Sequence, residues 1–240
     1  REKVIEECKA GGVTLILNSA SNISSSLKAI GLAKKYDFIY ASVGVHPHDV
    51  KDMEDDTVEV LRELAANPKV RAIGEIGLDY HYDYSPRDVQ KKRFAEQIQL
   101  AKELKLPIIV HDRESHEDTM TILKKTNAKE CGGILHSFSG SVEMARECLK
   151  LGFYLSISGP ITFKNNRKTI EVVKEIPLDM LLIETDSLYL TPEPFRGKRN
   201  YPGYVRQVAE KIAEIKEISF EEVAEKTMEN GKRVFGIPIR

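Results

Sequence analysis

Short apolar runs alternate along this chain with longer segments whose apolar residues recur at helical spacing. Runs of this kind, bounded by polar and turn residues and separated by helices, are typical of parallel strands buried on both faces. The predicted strands are Val13–Leu17, Phe38–Val45, Val70–Glu75, Leu106–Val110, Gly132–Leu135, Phe153–Ile157 and Met180–Ile183.

The segments between these runs predict helices. Pro86 favours a helix start, and Ser219 followed three residues later by Glu222 is a capping-box pattern. The predicted helices are residues 1–10, a segment ending near Lys35, Asp55–Ala66, Pro86–Lys105, His116–Thr126, a segment ending near Leu151, Arg167–Glu175, Gly203–Ile215 and a last helix that follows Ser219.

The first helix has no strand before it, so we expect one more strand upstream of Arg1. With it, the α/β pattern gives eight β/α units, the number that closes into a TIM (β/α)8 barrel. Residues 1–240 are predicted to form this one domain, because no linker or change of composition divides them. An open doubly wound sheet is the alternative. It is disfavoured because no glycine-rich phosphate loop follows any strand.

Composition narrows the functional classes. Hydrophobic residues make up 41% and charged residues 30%, and no apolar run approaches the ~18–20 residues of a membrane span. Three cysteines without C-x-x-C spacing predict a reducing compartment, hence the cytoplasm. The net charge of −1 excludes a generally cationic surface, so a polyanion would be held locally or through metal.

Side chains of the metal-binding type stand where strands end. The strands are followed or terminated by Glu75, His111, His136 and Asp186, and a fifth strand leads to His46. The carboxyl ends of barrel strands meet on one face, where the catalytic groups of this fold lie. A single histidine at such a place is more often structural, but two acids and three histidines together predict a site for zinc, manganese, nickel or magnesium.

The other polar residues near these ends allow two interpretations. His81 and His116 do not end strands, and we expect them to be solvated or to support ligands, while His48 stays open. Asp79 and Glu184 could orient metal ligands, but acids after strands are also ordinary caps and turns.

Ordered motifs over the whole chain resemble the TatD family of metal-dependent deoxyribonucleases. The motifs are Gly44–His48, Gly74–Tyr80, Val110–Arg113, His136–Gly140, Glu184–Asp186 and Arg196–Asn200. The resemblance implies a TIM barrel that uses two divalent metal ions, Mg, Mn, Zn or Ni, to hydrolyse phosphodiester bonds in DNA, exonucleolytically at single strands or ends.

The same resemblance implies roles for individual residues. Glu75 would bridge the two ions, His111 and His136 would hold one, and Asp186 would bind the other and activate water. Glu75 and Asp186 would thus be the catalytic pair. His46 and Arg113 would face the substrate phosphate.

The sequence departs from the family pattern at three places. The family's first strand carries a His-x-His pair, which we expect upstream of Arg1. Leu188 stands where a proline is usual, and Tyr201 stands where an acid usually follows Arg-Asn. The last two changes remove no ligand and alter the substrate rim.

The segment Phe195–Tyr201 interleaves cations with aromatic rings, a composition suited to nucleic acid. Arg196, Lys198 and Arg199 are therefore candidate substrate-binding residues, with a solvated basic loop as the alternative. DNA is the predicted partner, and neither a membrane nor an obligate protein partner is indicated.

Two other functions stay open. A metal barrel can also hydrolyse an ester or amide, for example the ester of a D-aminoacyl-tRNA. The related amidohydrolases commonly use a lysine as the bridging ligand, so Glu75 at this strand favours phosphodiesters. A non-catalytic nucleic-acid-binding barrel is the third possibility, and its only support is the His-x-His pair missing from this sequence.

Overall fold

The strands form one wholly parallel sheet that curls into part of a barrel in the computed structural model, which describes residues 2–238. Each strand pairs with the next in chain order, with β1 and β7 at the two edges among the described residues. This order is the one that successive right-handed βα units produce. The strands are β1 Ile16–Asn18, β2 Ile39–Val43, β3 Val70–Asp79, β4 Ile108–Arg113, β5 Gly133–Leu135, β6 Phe153–Ile157 and β7 Leu181–Ile183.

Helices follow the strands as the sequence predicts. The predicted start after Ser219 is confirmed, since its hydroxyl accepts a hydrogen bond from the backbone N–H of Glu222 at 3.1 Å. The sequence predicts Pro86 as the first helical residue, whereas the helix begins at Arg87 and Pro86 is its N-cap. The helices are α1 Glu2–Ala10, α2 Ile23–Lys35, α3 Thr57–Ala65, α4 Arg87–Leu104, α5 His116–Lys125, α6 Val142–Lys150, α7 Arg167–Glu175, α8 Val205–Lys216 and α9 Phe220–Val234.

The predicted ends of two strands are wrong. β3 continues past Glu75 and β4 past His111, because Gly77 pairs with His111 and Asp79 with Arg113. The register of β3 shifts between Ile73 and Ile76, so Glu75 lies in an irregularity inside the strand. Such a shift re-aims a side chain. Here the N–H of Glu75 donates to the carbonyl oxygen of Ala20 at 2.7 Å, outside the β3–β4 ladder.

Alternation of side chains divides the sheet into two apolar faces. The outer face packs under the helices as the large core. The inner face forms a smaller cluster, closed from one side by the end of α9 and the residues after it. Its buried members are Ala72, Ile109, Ile134, Leu182, Phe235 and Ile237. His111, His136 and Glu184 follow Ile109, Ile134 and Leu182 by two residues and therefore lie on the same face. Strand periodicity thus brings apolar and polar residues into one interior.

Of the fold predictions, the α/β parallel architecture is confirmed. The single domain over 1–240 and the strand upstream of Arg1 stay predictions. No helix within residues 2–238 has both the length and the apolarity that crossing a bilayer requires.

Gly77 pairs with His111 across the β3–β4 ladder in a backbone conformation that favours glycine, and this predicts a stability effect. Its φ is 145°, and a Cβ added there would lie 2.0 Å from the carbonyl oxygen of His111. We expect Gly77→Ala to lower the free energy of unfolding by about 3 kcal/mol or more, measured by urea denaturation. Gly31→Ala is the control. Gly31 lies in α2 with open space around it, so alanine should stabilise by ~0.5–1 kcal/mol. Equal stability of the two variants would contradict this view of the β3–β4 contact.

Candidate metal centre

The carboxylate of Glu75 lies at the middle of a group of imidazoles. Its Oε1 is 2.8 Å from His111 Nδ1, 3.5 Å from His136 Nε2 and 3.6 Å from His46 Nε2. These side chains come from the β2 exit, β3, β4 and the β5 exit, and they are only 12–16% exposed. The convergence expected from the strand ends therefore exists.

The donor set fits a divalent transition metal. His46, Glu75 and His111 each offer one ligand atom, and these atoms all lie within 4.8 Å of one another. Imidazole nitrogens with a carboxylate oxygen suit zinc, nickel or manganese. His136 Nε2 adds a further nitrogen near Glu75 and lies 3.9 Å from Asp186 Oδ1. The tightest trio includes His46, for which the sequence predicts a substrate contact; the individual roles stay predictions.

Carboxylates contact the second ring nitrogen of two of these imidazoles. Asp79, which is fully buried, has its Oδ2 3.0 Å from His111 Nε2 and 2.8 Å from His48 Nε2. Glu184 lies 2.9 Å from His136 Nδ1. A carboxylate in this position fixes the orientation and tautomer of an imidazole that binds metal through its other nitrogen. The structure thus places Asp79, Glu184 and His48 in contact with the candidate ligands, where the sequence left them open.

The same contacts set the protonation of the cluster. Burial alone would raise the pKa of Glu75, but the charge of His136 and the hydrogen bond from His111 outweigh it and hold that pKa well below its usual range. Burial opposes charge on His111 too, yet its hydrogen bonds to Asp79 and Glu75 raise its pKa to about 9. A bound cation would take the place of the proton that these acids favour on His111.

Burial shifts the pKa values of two further members of the cluster, His46 and Asp186. Burial lowers the pKa of His46 to about 3, so its imidazole is neutral at pH 7 and has a lone pair to offer. Burial raises the pKa of Asp186, which suits a carboxylate that must accept a proton. Asp186 also has a φ of 51°, in the left-handed region that aspartate adopts more readily than most residues.

The long loop after β7 is fixed next to Asp186 by a buried amide. Asn200 donates hydrogen bonds through its Nδ2 to the carbonyl oxygens of Thr185 at 2.6 Å and Tyr189 at 2.5 Å. These bonds join the two ends of the loop, so the predicted cations before Asn200 stay on the side of the molecule where β7 ends.

The predicted substrate cations are all exposed, one at the end of β4 and three in the loop after β7. Arg113, at the end of β4, has its guanidinium carbon 4.7 Å from the ring centroid of Tyr82. Arg196 and Lys198 lie in the loop after β7, over the rings of Phe163 at 4.3 Å and Phe195 at 5.7 Å. Arg199 is exposed in the same loop. Their contact with substrate stays a prediction.

The remaining histidines lie beyond the carboxyl ends of β3 and β4. His81 is 41% exposed and lies 2.8 Å from Glu114. His116 Nδ1 lies 2.6 Å from the Asp112 carboxylate. Both arrangements agree with a solvated or supporting role.

Sequence reasoning missed the two exposed aromatic residues beside His48, Tyr82 and Tyr84, which are 44% and 56% exposed. Their ring centroids lie 5.3 and 4.9 Å from that of His48. The sequence signal for them is the recurrence of tyrosine at every second position from Tyr80 to Tyr84. It is easily missed because the stretch resembles an ordinary polar loop.

Comparison with known proteins adds the family context. The family model described as "TatD related DNase" matches residues 1–236. A Bacillus subtilis (strain 168) protein described as "Uncharacterized metal-dependent hydrolase YabD" is 56% identical over 98% of this chain and 92% of its own length. An Escherichia fergusonii protein named "3'-5' ssDNA/RNA exonuclease TatD" is 35% identical over 99% of this chain and 93% of its own length.

The fold has a close counterpart among solved structures. The crystal structure of YJJV, a TatD homologue from Escherichia coli K12, superimposes with a TM-score of 0.93 at 30% identity, covering 99% of this chain and 92% of that one. The predicted fold class and the resemblance noted from the motifs are thereby confirmed.

The contacts of Asp79 predict an effect on metal affinity. Asp79→Asn removes the charge that orients His111, and we expect the dissociation constant for manganese or zinc to rise ~10–100-fold, measured by isothermal titration calorimetry. Asp83→Asn is the matched control, because this exposed acid of the same loop pairs with Arg87 at 2.6 Å. Unchanged affinity in a folded Asp79→Asn variant would show that Asp79 does not position the ligand.

Proposed function

This chain belongs to the TatD-related DNase family of metal-dependent hydrolases, and we propose that it hydrolyses phosphodiester bonds in DNA, at single strands or strand ends. The observation that supports this most directly is the carboxylate of Glu75 facing three imidazoles with Asp186 beside them. The name of the Escherichia fergusonii relative, "3'-5' ssDNA/RNA exonuclease TatD", supports a nucleic acid strand as substrate.

The centre would hold two divalent ions, with Mg, Mn, Zn or Ni as candidates. Glu75 would bridge them, His111 and His136 would bind one, and Asp186 the other. When bound, such ions lower the pKa of water and offset negative charge on a phosphoryl oxygen. Glu184 would keep His136 in the tautomer that presents Nε2 to the site.

The protein side chains would bind the substrate and move the proton. Asp186 would accept the proton of the attacking water at its carboxylate oxygen, a role that its raised pKa favours. His46 and Arg113 would bind phosphate oxygens, and the exposed cations Arg196, Lys198 and Arg199 would bind the strand on the side of the β7 loop.

We also propose a cytoplasmic location. The three cysteines are free, Cys8 and Cys148 are buried, and Cys131 is half-buried. Such thiols persist in a reducing compartment.

Removal of the proton acceptor tests the catalytic assignment. We expect Asp186→Asn to lower kcat on a single-stranded oligodeoxynucleotide by about 10²–10⁴-fold, because asparagine cannot accept the proton. Release of nucleotides would be followed after chelation and after addition of magnesium, manganese or zinc. Asp179→Asn serves as the control, since Asp179 precedes β7, away from the strand exits, and pairs with Lys226 at 3.2 Å. An Asp186→Asn rate within a few-fold of wild type would remove this residue from the mechanism.

The wild-type protein distinguishes the broader alternatives. Cleavage restored by metal and lost in Glu75→Ala supports the nuclease. Tight metal binding without DNA cleavage points to an ester or amide substrate, which the same kind of centre can attack. Oligonucleotide binding without metal binding points to a non-catalytic barrel.

A further inference from the structure

Two tyrosines on the loop after β3 face each other with much of their ring surface open to solvent. The ring centroids of Tyr82 and Tyr84 are 5.2 Å apart, with an interplanar angle of 25°. Tyr80 on the same loop differs, because it is half-buried and donates a hydrogen bond to Asp118 at 2.6 Å. Burial in the fold therefore explains Tyr80 but leaves the exposed pair unexplained.

The pair is tied to the candidate metal centre through His48 and Asp79. The ring of His48 contacts both tyrosines, and its centroid is 4.3 Å from that of His46. Asp79 accepts hydrogen bonds from the backbone N–H of Tyr82 at 2.9 Å and from His48 at 2.8 Å. The rings are thus held one imidazole away from the centre, on backbone that is already ordered.

One cation beside the pair is available to an anionic ligand. The guanidinium carbon of Arg113 lies 4.7 Å from the ring centroid of Tyr82, and Arg113 forms no ion pair within residues 2–238. The exposed acid Asp83 on the same loop is paired with Arg87 at 2.6 Å. The Arg113 guanidinium can meet a phosphate while the neighbouring ring meets a base.

We propose that Tyr82 and Tyr84 are a stacking platform for an unpaired base of the strand whose phosphate lies at the centre, an inference that depends on the proposed function for the identity of that strand. Every base has a π-face, so stacking on aromatic side chains binds single strands with little sequence preference. An internal base pair of a duplex has both faces covered by its neighbours, so the platform favours unpaired bases.

Binding of a fluorescent strand tests the platform without requiring turnover. The probe is a single-stranded oligodeoxynucleotide of about 12 nucleotides, a length within the site sizes of single-strand binders, with one 2-aminopurine placed in turn at positions near its 3′ end. We expect wild-type protein to quench the label at one or two positions. An abasic residue at the quenched position should raise Kd about tenfold, because stacking contributes on this scale.

The variants should give a matching pattern. Tyr82→Ala and Tyr84→Ala should each raise Kd for the intact strand about tenfold, with little further loss on the abasic strand, because the same contact is already gone. Tyr82→Phe and Tyr84→Phe should stay within about twofold, since the ring is retained. Tyr36→Ala is the matched control, because Tyr36 precedes β2, at the opposite end of the sheet from the strand exits.

Each result separates the platform from the proposed function. Unchanged Kd in both alanine variants and on the abasic strand overturns the platform, and if wild type still cleaves DNA with added manganese, the nuclease assignment stands. Binding that depends on the tyrosines, without cleavage with any metal, supports the platform and removes the nuclease assignment. Neither binding nor cleavage overturns both. Should an alanine variant misfold, the abasic comparison on wild-type protein decides alone.

Discussion

An ionised carboxylate out of water needs compensating partners, and Glu75 is such a group. Its desolvation is offset by imidazoles from three other segments of the sheet. Those imidazoles are in turn held by Asp79 and Glu184. Loss of one partner leaves the carboxylate with less compensation, so the cluster favours the strand positions that bring these side chains together.

The two-residue period of the strands places these partners on one face of the sheet. An apolar side chain on the inner face of a strand is followed two residues later by a side chain on the same face that projects toward the metal centre. Ile109 and His111 show this in β4, and Ile134 and His136 at the end of β5. The pairing of Gly77 with His111 places β4 beside the irregularity in β3 that holds Glu75.

Around this rigid interior lie two exposed loops with a different composition. The loop after β3 presents Tyr82, Tyr84 and the neighbouring Arg113, and the loop after β7 presents cations over aromatic rings, fixed by Asn200. The interior arranges charge for chemistry, while the rims offer rings and cations to a strand. This division is the usual one in TIM barrels, where loops vary on a fixed scaffold.

Strand and helix order, the α/β class and the residue types of the centre could be predicted from the sequence, because they depend on local periodicity and on which residues end the apolar runs. The irregularity at Glu75, the extension of β3 to Asp79, and the contacts of His48 and Tyr84 could not. Each of these depends on a distance between segments far apart in the chain, such as the 31 positions that separate His48 from Asp79. Local pattern determines which face a side chain occupies. Only the packing of whole strands decides which side chain it meets across that face.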